Sequence, residues 1–232
     1  MLRYSDRIYL KNIDVFNYCT WGILREELVT RGGSILINDL PAPFPEEFFQ
    51  LPTLELAQEL LGCLLIKTTP EGTASGYIVE TEAYKGPLDR AAHSFGNRRT
   101  KRTEIMFGKA GLIYTYKMHT HTLVNVVSSV EDVPEAILIR AVEPFSGIPL
   151  MHERRGLPDL VKLTSGPGKL TKALGITMND YGGSFTEPPL YIAPGNKPES
   201  IQSGPRIGIG NSGEAVAYPW RYWVTGNPFV SR

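Results

Sequence analysis

Two glutamates spaced two apart stand in Gly76-Tyr-Ile-Val-Glu-Thr-Glu-Ala-Tyr84. If this segment is extended, Glu80, Glu82 and Tyr84 share one face, and Val79, Thr81 and Ala83 the other. Paired carboxylates inside an apolar protein repel each other and lose hydration. Three explanations are open: the face meets solvent, arginines neutralise it, or one carboxylate is a general base in a pocket with Tyr84 beside it. Ala136-Ile-Leu-Ile-Arg-Ala-Val-Glu143 offers a partner, because Arg140 interrupts a run that otherwise reads as a buried strand. A guanidinium there must find an anion, and the Glu80/Glu82 strand is the economical source.

Tyr114-Thr-Tyr116 places two phenol rings on one strand face. This is either sheet packing or, with Tyr84 and His93, a stacking clamp for a flat ligand. His93 reads equally well as an ordinary loop histidine. His119 and His121 lack a carboxylate cluster or an H-E-x-x-H context, so no metal is expected. Arg98, Arg99, Lys101, Arg102 and Lys109 face a lone Glu104, forming either a solvated loop or a phosphate-contacting edge. Gly208-Ile-Gly-Asn-Ser-Gly213 fits a dinucleotide fingerprint by letter, but prolines at 219 and 228 interrupt the C-terminal stretch after it, where Glu214 is the only acid. Its glycines read instead as a close backbone approach. Ser165-Gly-Pro-Gly-Lys169-Leu lacks the glycine and hydroxyl of a Walker loop and reads as a loop feeding a helix, with an anion on its free N–H groups as the alternative.

These residues need strands to hold them. Cys63–Lys67 and Ser75–Tyr84 read as strands joined at Pro70-Glu71-Gly72, followed by strands at Leu112–Met118, Leu123–Ser128 and Ala136–Glu143. Helices are expected over Leu54–Leu61 with Thr53 as N-cap, over Ile148–Arg155, and over Lys169–Leu174 between Gly168 and Gly175. Late strands are expected at Leu190–Ala193, Arg206–Ile209 and Trp220–Val224. Strands outnumber helices without regular alternation, which implies an α+β fold on a largely antiparallel sheet. Asp39-Leu-Pro-Ala-Pro-Phe-Pro45 is a proline-punctuated connector, dividing an appendage at 1–45 from one domain at 46–232.

The 232 residues are 42% hydrophobic and 21% charged, the profile of a globular protein with room for a sizeable core. No apolar run is long enough for a membrane span, and no signal peptide opens the chain, so a cytoplasmic location is expected. Two cysteines, Cys19 and Cys63, are too few for a disulfide scaffold or a cysteine zinc site. With 24 basic and 24 acidic residues, overall charge does not advertise a nucleic-acid partner; only the local cluster does.

The residues resemble a family. Ile78-Val-Glu-Thr-Glu-Ala-Tyr84, Arg90-Ala-Ala-His-Ser94, Met106-Phe107, Ile113-Tyr-Thr-Tyr116, Asn125 and Ile139-Arg-Ala-Val-Glu-Pro144 look like the alkyladenine (3-methyladenine) DNA glycosylases. So do Ser165-Gly-Pro-Gly-Lys169, Pro205-Arg-Ile-Gly-Ile-Gly210 and the segment from Trp220 to Ser231. The resemblance runs in order from about residue 50 onward and does not reach the first forty-odd residues.

The resemblance implies a single mixed domain around a curved, largely antiparallel sheet with peripheral helices. It implies a monomer that excises alkylated or deaminated purines from damaged double-stranded DNA in base excision repair, without metal or cofactor. In a bacterium the protein would be nucleoid-associated. By resemblance, Glu82 activates the attacking water, and Arg140 and the main-chain carbonyl of Ile207 help hold it. Tyr84, His93 and Tyr116 wall the flipped base, and Asn125 lines the floor and selects against guanine. Arg98, Arg99, Lys101 and Arg102 are candidates for phosphate contacts.

One departure stands out. Where the family commonly carries a wedge tyrosine and then Gly-Met, this chain has Lys117-Met118-His119-Thr120-His121-Thr122, one residue shorter before Asn125. His119 is the best-placed substitute wedge and Met118 the second, although Met is the more usual intercalator. Three other readings compete with hydrolysis by water. Lys117 as a Schiff-base nucleophile would give a glycosylase/lyase. The chain would alternatively bind damage without turnover. An O-glycoside hydrolase using Glu80 and Glu82 fits poorly, because neighbours on one strand cannot flank a bond.

Overall fold

Runs of β-branched and aromatic residues set up the strands, which are β1 (Leu64–Thr69), β2 (Gly72–Tyr84), β3 (Ile113–Met118), β4 (His121–Ser128), β5 (Glu135–Ser146), β6 (Leu190–Ala193), β7 (Ile201–Gly204) and β8 (Arg221–Val224). The computed structural model describes residues 40–231. Positions 1–39 of the expected appendage, with Cys19, lie outside the described residues. Residues on either side of position 45 join the core: the Phe44 N–H donates to Ile192 O at 2.9 Å, and the Phe44 ring stacks on Phe48 at 3.8 Å.

The strands form one sheet in the order β3-β4-β5-β2-β1-β6, with β8 joining β2 to β7. All pairings are antiparallel. β2 governs its shape. Along one edge β2 pairs with β5; along the other, Gly72–Tyr77 pair with β1 and Glu80–Glu82 with β8. A strand whose partners diverge halfway along adds to the ordinary strand twist and curls the sheet. The expected α+β domain on a curved antiparallel sheet is what forms.

Helices α1 (Glu46–Phe49), α2 (Thr53–Glu59), α3 (Ile148–Arg155), α4 (Leu160–Thr164) and α5 (Pro167–Leu174) accompany the sheet. From α2 to α5, Leu56, Met151, Leu163, Leu170 and Leu174 bury against Ile78, Ala83, Val124, Val126, Ile137 and Ile139. Alternation then sends Tyr114, Tyr116, Leu123, Val127 and Leu138 to a second cluster on the other face, with Met106. That second face carries the functional site.

Four local expectations are corrected. Thr53 does not cap α2: Pro52 is the N-cap, and the Thr53 hydroxyl bonds Glu135 and Ser128, 2.9 Å from the latter's Oγ. Helix α5 starts at Pro167, two residues early, because proline fits the first helical position. Gly168 therefore lies inside the helix, where a Cβ would stand 2.7 Å from the His121 side chain. Arg206–Ile209 is not a strand: the Arg206 guanidinium is drawn into a buried ion pair with Asp89, and Gly208 has φ +79°. Ile201–Gly204 pairs with β8 instead.

The fourth correction matters most. Val79 does not side with Thr81 and Ala83; it packs with Ala141 and Phe229. Ile78 pairs with Val142, Glu80 with Ala141 and Thr81 with Ile139, so Val79 is an extra residue in β2 and Arg140 an extra residue in β5. The two bulges cancel, and register resumes beyond them. Arg140 is thereby aimed at the glutamates.

Candidate active site

The sheet face opposite the helices opens into a cavity of about 400 Å³, within the usual range for small-ligand sites. Tyr84, His93, Met106, Tyr114, Tyr116 and Asn125 line it together with Arg140, Pro167 and residues 207–212. The glycines read as a close backbone approach belong to this lining. A second cavity of about 210 Å³, near Phe48, Cys63 and Pro198, shares no lining residue with the first.

Glu82 lies directly behind the lining. Its side chain has 0% exposure, and it is not itself part of the cavity lining. Its Oε1 accepts from the Ile207 N–H at 2.7 Å and forms an ion pair with Arg140 Nη1 at 3.2 Å, and its Oε2 accepts from the Tyr84 hydroxyl at 2.8 Å. The sequence pairing of Arg140 with the glutamates therefore holds, with Arg140 Nε also 2.9 Å from Glu80 Oε1. Burial alone would lower the Arg140 pKa, but Glu82 and Glu80 outweigh it and hold the guanidinium above its ordinary value. Ile207 meets Glu82 through its N–H. Burial, and then the charge of Glu82, push the Tyr84 phenol well above its ordinary value, so it stays a neutral donor.

The rings converge. His93 stands edge-on to Tyr116 at 4.7 Å between centroids, and its Nδ1 is 2.8 Å from the Tyr114 hydroxyl. Desolvation first, then Arg102 and Arg98, lower the His93 pKa to about 4, which keeps the imidazole neutral at physiological pH. Burial, with Tyr114 adding, raises Tyr116. Asn125 Nδ2 donates to Tyr114 O at 2.9 Å, which fixes the amide in the cavity lining.

The basic segment splits in two. Arg99 donates to Glu104 at 2.7 Å and lies over the Phe107 ring at 4.5 Å. Arg102 turns inward, with Nη2 2.7 Å from His93 Nε2 and its guanidinium carbon 4.7 Å from the Tyr116 centroid. Arg98 and Lys101 are exposed and make no ion pair among the described residues. Met118 lines the cavity and is about half exposed, whereas His119 sits in the two-residue β3–β4 turn at φ +52°. Lys117 alternates with Tyr116 and Met118 and does not line the cavity. Among the described residues no group of three or more His, Cys, Asp or Glu side chains could hold a metal ion, and no helix is long and apolar enough to cross a membrane.

Sequence reasoning missed Arg206. Its guanidinium pairs with Asp89 through both terminal nitrogens, donates to Ala83 O at 2.8 Å and lies over the Tyr84 ring at 4.7 Å. The only signal was its place before the glycine-rich loop, which looked like strand. Ser231 was missed as well: it closes a segment that resembles the family, but nothing there points to its bond with Glu80.

A ring-walled room with a carboxylate behind it suits a base drawn out of its stack, the arrangement of enzymes that do chemistry on an extruded nucleobase. The chain matches the family model described as methylpurine-DNA glycosylase (MPG) over residues 47–228, and it belongs to that family of enzymes acting on N-glycosyl bonds in DNA. It is 66% identical over 196 residues to a Bacillus licheniformis protein named "Putative 3-methyladenine DNA glycosylase", covering 84% of this chain and 100% of the relative. Relatives of the same name occur in Bacillus subtilis, at 68% identity over 82% of this chain and 97% of that one, and in Listeria monocytogenes, at 48% over 77% and 87%.

Proposed function

We propose that the protein is a monofunctional glycosylase that hydrolyses the N-glycosidic bond of alkylated or deaminated purines, of the 3-methyladenine, 7-methylguanine and hypoxanthine class, in double-stranded DNA. The observation that carries this reading is the Glu82 carboxylate, buried and held by three residues that line one aromatic cavity. A carboxylate accepts about four hydrogen bonds. The Ile207 N–H and the Arg140 ion pair take up Oε1, the Tyr84 hydroxyl takes one position on Oε2, and the lone pair remaining there serves the attacking water. Arg140 pairs with the Glu82 carboxylate, and Ile207 fixes it and, through its carbonyl, helps orient the water. The target base must leave its stack, at a cost of a few kcal/mol that falls at a lesion.

A purine alkylated at N3 or N7 is cationic. Tyr84 and Tyr116 already lie against an arginine each, and stacking of a cationic base on such electron-rich rings is worth about 0.5–2 kcal/mol. The charge also makes such a base a good leaving group, so activating the water suffices. Asn125, with its amide fixed, opposes the 2-amino group of guanine. The β3–β4 turn fills the gap left in the duplex, with Met118 at the cavity and His119 at the crown. Arg98 and Lys101 meet phosphates; Arg99, tied to Glu104, and Arg102, bonded to His93, contribute less. Lys117 faces away from the cavity, which disfavours a lyase, and the protein acts as a monomer.

Glu82→Gln should slow release of 7-methylguanine from duplex DNA by at least about 100-fold, the size of general-base catalysis, while keeping affinity for lesion DNA. A variant that releases base at the native rate would remove Glu82 from the reaction. No release by the native chain would leave a protein that binds damage without turnover.

A further inference from the structure

Beside Glu82 on the same face of β2 is a second carboxylate that hydrolysis does not use. Glu80 is fully buried, yet its Oε1 accepts from Arg140 Nε at 2.9 Å, Arg221 Nε at 2.6 Å and Ser231 Oγ at 2.9 Å. Its Oε2 accepts from the Ser231 N–H at 2.7 Å. Ser231 Oγ in turn accepts from Arg140 Nη2 at 3.1 Å, and Ser231 O from Arg221 Nη2 at 3.2 Å. Arg140 is thus held at Nε by Glu80 and at Nη2 by Ser231, and only Nη1 reaches Glu82, at 3.2 Å.

We infer that Glu80 and Ser231 are positioning residues for base release: they clamp Arg140 so that it meets Glu82 as an ion pair through Nη1 alone instead of through a two-pronged contact, which leaves Oε2 of Glu82 for water. The inference rests on the reading of Glu82 as general base. Its physical ground is the guanidinium fork, whose geometry matches a carboxylate and frequently pairs with it through two parallel bonds. Without Glu80, Arg140 turns that fork on Glu82, and the attacking water loses its acceptor.

The charges around Glu82 leave Arg140 no other carboxylate partner. Glu80 and Tyr84 face it from β2, Arg140 from β5, Tyr116 from β3 and Arg221 from β8. Arg206 approaches from the loop after β7 but is committed to Asp89. Stability alone is a weak reason to keep this cluster, because buried ion pairs often contribute no more than apolar groups of the same shape.

The test uses the full chain under single-turnover conditions on a duplex containing 7-methylguanine. Glu80→Gln should slow release about 10- to 100-fold, the cost of a misplaced catalytic group, with affinity for the lesion duplex changed by less than about twofold. Ser231→Ala, which keeps every charge, should slow release about two- to tenfold, as for one hydrogen bond. In an Arg140→Ala background both substitutions should cost less than about twofold more, since a residue acting through Arg140 has nothing left to aim. A merely structural role would subtract the same amount in either background.

The inference is overturned if the single variants release base within about twofold of the native rate, or if their losses are equal in both backgrounds. Should Glu80→Gln fail to fold, Ser231→Ala and its double variant with Arg140→Ala decide by the same criteria. An active Glu82→Gln chain would instead defeat the reading of Glu82, whatever the Glu80 result.

Discussion

His93 shows at the scale of one residue how surroundings decide chemistry. In the sequence it was either a loop histidine or a cavity wall. In the structure burial, with Arg102 and Arg98 nearby, holds its pKa at about 4, so it walls the cavity as a neutral ring and is no acid at neutral pH. The unfolded chain takes up this proton near 6.5 while the folded chain refuses it until about 4. Proton uptake by the unfolded state alone means that stability is lost as pH falls from about 6.5 to about 4, and that His93 contributes no slope above that window. Nuclear magnetic resonance titration should find His93 titrating near 4. Arg102→Met should raise that value while leaving it below 6.5, because desolvation, the larger cause, remains. His93→Gln should flatten the melting temperature against pH between those limits.

Among the elements, β2 does most of the arranging. Alternation correctly put Glu80, Glu82 and Tyr84 on one face, but it could not place the paired bulges at Val79 and Arg140. Bulges depend on which residues a partner strand presents, and that information sits about sixty positions away. The glycine-rich loop behaves likewise. It follows Arg206, whose pairing with Asp89 and bond to Ala83 O fasten it against β2 and so bring Ile207 N–H to Glu82. Asp89→Asn strands a buried guanidinium and should cost about 3–5 kcal/mol in a denaturant titration. A loss under about 1 kcal/mol would mean that the loop is held by other contacts.

For the molecule as a whole, net charge is zero, so any pull on a polyanion comes from how charge is distributed. Pairing narrows the free cations of the 98–102 segment. Arg99 is tied to Glu104 and Arg102 to His93, which leaves Arg98 and Lys101. Replacing either of these two by Ala should weaken binding to lesion and plain duplex alike and reduce the salt slope of log K by about 1. Arg99→Ala should change that slope much less. Affinity measured from low to moderate salt on both duplexes checks the set, and an equal effect from all three would show that these pairings do not persist on DNA.

The sequence by itself determined the fold class, the main strands of the site face and the pairing of Arg140 with the Glu80/Glu82 strand, while Tyr116 and His93 were open from the residues alone and were assigned to the site by the family resemblance. Strand alternation and the cost of burying a charge are local rules, and spacing along the chain carries them. Only the tertiary structure decided that Arg206 would leave a strand-like run for Asp89, that Ile207 would meet Glu82 by its N–H, and that Ser231 would hold Glu80 from 151 positions away. Each of these is a hydrogen bond between distant segments, chosen because a buried charge takes whichever partner the folded chain brings within about 3 Å, and no local pattern encodes that meeting.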